Sequence, residues 1–472
     1  ELLKNQSATR RPKDSVRMAD DAKSVEATIH AMLEIVRARD PHEKEFLQAV
    51  DEVIDSLKPL FTKQPKYLNA IPAICEPERM IAFRVPWIDD QGVQHVNRGY
   101  RVQFNQALGP YKGGLRLHPT VTLSVVKFLG FEQTFKNALT TLPLGGGKGG
   151  SDFNPKGKSN LEVYRFCVSF MTELFRHIGP DRDVPAGDIG VGAREIGYLY
   201  GQYKRLTAQH QGVLTGKGAG WGGSRIRPEA TGYGILYSTK HIVEGFGEKI
   251  EGKRILISGS GNVASFAAMK AIEFGAIVLT LSDSQGYVYE PNGFTKENLE
   301  KVISIKSRRG RISEYSSDSS KYVAKKKPWS EKCDIALPCA TQNEINVEAA
   351  KTLVENGLQY LVEGANMPAT PDAINVFRAG CKAFYPSKAA NAGGVAVSGL
   401  EMSQNSARLS WTSEEVDSQL QKIMKSIYTT CATTAKELGH PNDFQLGANA
   451  AGYMKVADAM FEQGQVFSAD TY

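Results

Sequence analysis

The sequence predicts an α/β protein of two domains, and three observations carry that prediction. A chain of 472 residues is too long for one ordinary hydrophobic core and long enough for two. A stretch dominated by glycine, Leu214 to Pro228 with Gly216, Gly218, Gly220, Gly222 and Gly223, interrupts it and reads as the crossing between domains. Beyond it, short apolar strands alternate with helices, the order from which an open parallel sheet is wound. The expected division is a flexible basic tail over 1–22, a first domain over 23–220, a second over 221–425, and C-terminal helices over 426–472 that return to the first domain.

Composition narrows the class. With 41% hydrophobic and 23% charged residues the chain reads as soluble and globular, neither disordered nor fibrous. It has no apolar run of the roughly 18 residues a membrane span needs and no apolar core near the N-terminus like that of a secretory signal. A cytoplasmic protein without a membrane partner is expected. The tail residues Lys4, Arg10, Arg11, Lys13 and Arg17 also fit the remnant of an organelle-targeting peptide, which keeps a mitochondrial location as the alternative. Six cysteines lie scattered without a CxxC pair or a neighbouring histidine cluster, so neither a disulfide framework nor a metal site is expected. A net charge of +6 is modest, and the basic residues form no stripe interleaved with aromatics; small anionic ligands are expected rather than nucleic acid.

Taken in order, Ile29, Met32, Leu33 and Val36 recur at helical spacing, and Phe46, Val50, Val53, Ile54 and Leu57 do so again after Pro41. Two amphipathic helices follow from this. Met80 to Trp87 and Val93 to Phe104 read as strands of a hairpin turning at Asp89-Asp90-Gln91-Gly92. In the second domain, strand Arg254 to Ser258, a helix from Asn262 to Phe274 and strand Ala276 to Leu281 form a βα unit running into a second strand. Long helical patterns from Glu414 to Glu437 and from Ala448 to Phe461 close the chain. The last of these is expected to pack on the first domain.

The chemistry-bearing residues fall in both domains. Gly259-Ser260-Gly261-Asn262-Val263-Ala264 follows an apolar strand and opens a helix, the context in which a G-x-G-x-x-A pattern cradles a pyrophosphate on a helix N-terminus. The second domain is therefore expected to be a Rossmann-like dinucleotide-binding domain, although glycine turns of this kind also serve structure alone. Asp283, ending the next strand, suits the ribose hydroxyl of NAD. Lys306, Arg308, Arg309 and Arg311 suit a 2′-phosphate instead, or form a solvated basic loop. In the first domain, glycine-rich loops alternate with lysines: Pro110 to Gly114 around Lys112, Gln133 to Lys136, and Gly145 to Gly150 around Lys148. Such lysines suggest an anionic substrate, with Gln133 and Lys136 on one helix face. Lys148 serves as a general base only if burial and nearby cations disfavour its protonation; otherwise its loop is a flexible surface loop. Asp188, framed by Pro185, Ala186, Gly187 and Gly190, either passes a proton or caps a helix beginning near Gly192.

These segments, from about Pro41 to Gly464, resemble the short-subunit hexameric NADP-dependent glutamate dehydrogenases. The likeness rests on Gly109 to Gly114, Leu142 to Pro155, Val184 to Gly192, Arg227 to Gly232 and Lys388 to Met402. It implies that Lys148 and Asp188 are catalytic. It implies that Gln133 and Lys136 hold the substrate α-carboxylate, and that Lys112 and Ser398 read the γ-carboxylate with Ala186, Thr215 and Val395 around them. Thr231, Gly259, Gly261, Asn262, Val263, Ala340 and Asn366 then border the coenzyme, with Asp283. Lys306 and Arg311 fall where NADP-linked members hold the 2′-phosphate, so NADP is expected, with NAD as the weaker alternative. Glutamate, 2-oxoglutarate and ammonium are the implied substrates and a homohexamer the implied assembly. Relatives acting on apolar amino acids carry apolar residues at the positions of Lys112 and Ser398. A noncatalytic Rossmann-fold binding protein fits poorly with an intact set of Lys112, Lys136, Lys148 and Asp188. The basic tail departs most from the family.

Overall fold

The computed structural model describes residues 12–467. It contains two sheets, each with its own helices. The first has the order β1-β2-β4-β3-β5 and is built from β1 Arg79–Ile88, β2 Gln94–Asn105, β3 Tyr111–Leu117, β4 Gly145–Ser151 and β5 Asp183–Gly187. β1 and β2 form the expected antiparallel hairpin, while β3 runs parallel to both β4 and β5. The second sheet has the order β12-β11-β10-β6-β7-β8-β9, with β6 Arg254–Ile257, β7 Ile277–Asp283, β8 Gly286–Tyr289, β9 Lys321–Ala324, β10 Ile335–Leu337, β11 Tyr360–Val362 and β12 Ala383–Tyr385. Its strands from β12 to β7 are parallel; β8 and β9 add an antiparallel edge that the expected parallel sheet lacked. Gly286, with φ 159, lets that edge turn back on β7.

The sequence reading and the fold differ in three places. Of the tail expected over 1–22, residues 1–11 lie outside the described residues, and a helix runs from Pro12 to Arg39. Proline is pre-set for the first turn of a helix, and the apolar stripe of Ile29, Leu33 and Val36 is needed only where this helix meets the core. The glycine-rich run around Lys148 is not a loop. It is β4, buried along its whole length between β2 and β3. Its glycines answer close packing: a Cβ on Gly146 would meet Thr134 of the helix Leu123–Leu139, and one on Gly149 would meet Leu115. Glycine at that position lets the helix lie so near the sheet.

Third, the helix Ser413–Glu437 keeps to the second sheet's core past residue 425: Ile427 and Cys431 share that core with Val416, Leu420 and the helix Ala230–Gly245. The helix Phe444–Glu462 is the one that returns. Its Leu446, Ala450, Tyr453, Val456 and Met460 pack with Phe46, Val50, Phe61 and Phe135. On the chain's way out, Val213 and Leu214 belong to the core under the first sheet, whereas Ala230 belongs to that of the second. No helix among the described residues is long and apolar enough to cross a membrane. All six cysteines are free, and all but the partly exposed Cys381 are buried.

Candidate active site

The first sheet and the Leu123–Leu139 helix present three lysines at different depths. Lys112 on β3 is fully buried, and its Nζ donates to Thr215 Oγ1 at 2.8 Å. Lys136, partly buried on the helix, donates to Asn391 Oδ1. Lys148 on β4 donates to Asp188 Oδ2 at 2.6 Å. The strand neighbours of Lys112 explain its glycines, since a Cβ on Gly113 would collide with the Gly147 carbonyl and one on Gly114 with Asp188. Gln133, on the same helix as Lys136, donates to Asn137 Oδ1 at 2.7 Å; Asn137 in turn donates to the Lys112 carbonyl at 2.9 Å.

Asp188 does not cap the following helix. Glu195 does that, its carboxylate accepting from Gly192 N at 2.8 Å at the head of Ala193–Thr207. The Asp188 carboxylate instead accepts from Ile189 N at 2.8 Å and from Lys148, with the Arg116 guanidinium 3.6 Å away. Burial pushes its proton affinity up, but the Lys148 ammonium and then Arg116 outweigh burial and hold the carboxyl well below the usual range. Lys136 is lowered to about 8, chiefly by burial and next by the Lys148 ammonium.

Ser398 lies on the helix Gly393–Ala407, where its hydroxyl accepts from Arg227 Nε at 3.1 Å. Val395 is on the same helix, one turn earlier. Ala186 and Thr215 are buried, and Thr215 N donates to the Pro185 carbonyl at 3.0 Å, which ties that connector to β5.

The second sheet contributes its carboxyl edge. β6 ends in Gly259 with φ 84, a left-handed turn that favours glycine, and Gly259 N donates to Ser282 Oγ at 2.7 Å. Gly261 is the N-cap of Asn262–Glu273 with no side-chain cap, so the first-turn N–H groups of Asn262, Val263 and Ala264 have no side-chain acceptor there. Asn262 donates to the Pro228 carbonyl at 2.8 Å, beside Thr231, whose hydroxyl packs against Gly394. Ala340 N donates to the buried Glu344 carboxylate at 3.1 Å, and Asn366 accepts from Asn391 Nδ2 at 2.9 Å. Asp283 accepts from Gln285 N at 2.9 Å and Ile312 N at 3.0 Å, with Lys306 3.9 Å away. Arg311 is exposed and reaches Ser284 Oγ at 3.4 Å. A cavity of about 840 Å³ joins the two halves, lined by Lys156, Lys158, Asp188 and Arg194 on one side and Arg309 on the other.

An uncapped helix start after a glycine turn on the second sheet, and a lysine–aspartate pair on the first, are the parts that a dinucleotide-dependent reaction needs. Comparison with known proteins gives it a family. The model of the Glu/Leu/Phe/Val dehydrogenase dimerisation domain matches residues 77–205, and that of the Glutamate/Leucine/Phenylalanine/Valine dehydrogenase matches residues 222–464. The chain belongs to this dehydrogenase family. It is 58% identical over 445 residues to the NADP-specific glutamate dehydrogenase of Giardia intestinalis, covering 93% of this chain and 99% of that one. It is 54% identical over 437 residues to the NAD(P)-specific glutamate dehydrogenase of Xylanibacter ruminicola, covering 92% and 98%. A crystal structure of Plasmodium falciparum glutamate dehydrogenase superposes with a TM-score of 0.92 at 55% identity, covering 93% of this chain and 95% of that one.

In this Glu/Leu/Phe/Val dehydrogenase several site residues escape a reading of the sequence. Asn391 joins Lys136 of the first sheet's helix to Asn366 of the second unit. Glu401, one turn beyond Ser398, pairs with Lys217 at 2.8 Å and accepts from Gly216 N at 3.0 Å. Arg116 and Arg227 complete the charge pattern around Asp188 and Ser398. The motif Lys112-Gly113-Gly114-Leu115-Arg116 held a signal for Arg116, four residues along the strand from Lys112 and so on its face. The others have none, because each meets its partner only through the fold.

Proposed function

We propose that this dehydrogenase catalyses the reversible oxidative deamination of L-glutamate to 2-oxoglutarate and ammonium, with NADP as hydride carrier. The observation that carries the reading is the buried Lys112 amine, bonded to Thr215 and under the charge of Arg227, which itself donates to Ser398, as a second basic site beside the Lys148–Asp188 pair. A substrate with two carboxylates fits that layout. The α-carboxylate lies on Lys136 and Gln133, the γ-carboxylate on Lys112 and Ser398, with Ala186, Thr215 and Val395 as walls. An apolar side chain would give Lys112 no carboxylate to pair with, leaving it the neutral Thr215 hydroxyl alone.

The coenzyme fits the second unit. Gly259, Gly261 and the N–H groups of Asn262 and Val263 suit the pyrophosphate; Thr231, Ala340 and Asn366 border the nicotinamide half of the cleft. Lys306 and Arg311 hold the 2′-phosphate. Asp283 does not oppose it, because its carboxylate is engaged by Gln285, Ile312 and Lys306. When bound, the nicotinamide exchanges a hydride with the substrate α-carbon.

The protein's residues do the rest. Asp188 takes a proton from the substrate amino group as the α-carbon gives up hydride, leaving an iminium. Lys148, its ammonium proton passed to solvent once Asp188 is neutralised, takes a proton from water as the water oxygen bonds the iminium carbon to give a carbinolamine. Asp188 returns its proton to nitrogen, the C–N bond breaks, and the hydroxyl proton passes to the departing ammonia, which leaves as ammonium as the carbonyl forms. Initial rates with glutamate and norleucine, each with NADP and NAD, test the reading; a preference for norleucine would overturn it.

We propose a homohexamer as the assembly, supported by the family's dimerisation domain and by the exposed Met80, Ile88, Val93 and Val96 of the β1–β2 hairpin. Light scattering on the purified protein tests that. Cytoplasmic residence belongs to the same proposal and is tested by cell fractionation. For the division into domains, we place the return to the first unit after Glu437, at the turn into the last helix.

A further inference from the structure

The γ-carboxylate end of the cleft holds more positive charge than its own carboxylates neutralise. Lys112, Lys217 and Arg227 converge there from β3, the glycine-rich connector and the segment before the Ala230–Gly245 helix. Glu401, from Gly393–Ala407, is the carboxylate among them, and it is committed to Lys217 at 2.8 Å and to Gly216 N. Below Lys112, on β2 and β5, Arg101 and Asp183 are spent on each other, with Arg101 Nε 2.9 Å from Asp183 Oδ2. From the Leu123–Leu139 helix, neutral Asn137 donates to the Lys112 carbonyl and accepts from neutral Gln133. Among the described residues, the hydrogen bond that Lys112 Nζ makes is to the neutral hydroxyl of Thr215.

Resting on the glutamate reading above, we infer that Lys112 is uncharged in the empty pocket and takes a proton from solvent as the substrate's γ-carboxylate enters. The product of the step is a buried ammonium–carboxylate pair, and the proton comes from buffer. A fully buried amine that meets a guanidinium and a second ammonium but no free carboxylate is costly to charge. Burial first, then Arg227, Arg101 and Lys217, hold its proton affinity well below the usual lysine range, against the pull of Glu401. An arriving carboxylate reverses the balance. The sign follows: between the proton affinities of the empty and filled pocket, raising the pH weakens 2-oxoglutarate binding by up to about tenfold per unit, because each binding event must then take up a proton. An apolar side chain draws no proton, so the linkage is specific to a substrate that carries the second carboxylate.

Titration calorimetry on the enzyme–NADP complex, in two buffers of different ionisation enthalpy, counts the protons. Both 2-oxoglutarate and 2-oxohexanoate carry the α-carboxylate that meets Lys136, so any proton linked to Lys136 cancels between them. 2-Oxoglutarate is expected to take up about one proton more than 2-oxohexanoate. Equal counts would overturn the inference. In Lys112→Arg, whose guanidinium stays charged, 2-oxoglutarate should bind with about one proton fewer than in the wild type. This comparison decides the matter where 2-oxohexanoate binds too weakly to titrate, and an unchanged count again overturns the inference. Lys112→Met distinguishes the two levels of the argument. If 2-oxoglutarate binds Lys112→Met as well as the wild type, the glutamate reading of the pocket fails; if affinity falls but the wild type shows no proton uptake, only the present inference fails.

Discussion

The two halves of the cleft are built on opposite plans. On the first sheet, cations sit on strands and on one helix, buried, with their positions dictated by glycines that admit no side chain. On the second, the residues proposed to face a coenzyme stand on turns and helix starts beyond the strand ends, with Gly261, Asn262, Ala340 and Asn366 exposed and Arg311 extending into solvent. Charge buried in a rigid frame acts strongly and at one place, whereas charge on an exposed loop is screened and adjustable. The contrast assigns catalysis and side-chain selection to the first half and graded coenzyme recognition to the second. It also ranks the effects of substitution.

Lys148→Ala should show the largest effect, lowering kcat by about 10²–10⁴-fold while NADP affinity stays near that of the wild type. Rates and coenzyme titration measure both, and retention of more than a tenth of wild-type turnover would break the contrast at its strongest point. Lys112→Leu with Ser398→Val should come next. Removing one partner from a buried charged pair costs about 3–5 kcal/mol, a loss of a few hundredfold or more in kcat/KM for glutamate, while norleucine gains. Kinetics of the two single variants and the double variant against both substrates would decide it.

Stability sharpens the comparison further. Gly113→Ala drives a Cβ into the Gly147 carbonyl and should cost about 1–3 kcal/mol in thermal or denaturant unfolding. Gly261→Ala, whose Cβ meets nothing within 4 Å, should unfold like the wild type. Equal losses would remove the distinction between a packed floor and an open edge. The smallest effect belongs to the exposed cations: Lys306→Ala with Arg311→Ala should raise KM for NADP by about tenfold and leave NAD almost unchanged, the ordinary strength of charge-assisted contacts being reduced by solvent. Parallel loss for both coenzymes would return these residues to a solvated loop.

How much of this was legible in the sequence follows the range of the interactions involved. The hairpin at Asp89 to Gly92 and the amphipathic helices declare themselves within a few residues, so they were read correctly. The strand, glycine turn and helix around Gly259 were read for the same reason. β4 was not, because glycine is a poor strand former by propensity and only the neighbouring Thr134, Leu115 and Gly113 reveal why a strand there must be bare. The ambiguity at Asp188 was genuine at short range. It ends once Glu195 is seen to occupy the capping role and Lys148, 40 positions away, to pair with the aspartate. Glu401 with Lys217, and Lys136 with Asn391, meet across still longer separations, and no local pattern encodes them.

β4 also has a consequence for motion. Its backbone amides lie in the middle of the first sheet, bonded on both sides by β2 and β3 and covered by the Leu123–Leu139 helix. Amides so placed exchange their hydrogens with solvent only when the sheet itself opens, whereas those of a flexible loop exchange freely. The most glycine-rich run in the first domain is therefore among the last segments to take up deuterium. The lysine it carries would keep its place after loops at the coenzyme edge had begun to fluctuate.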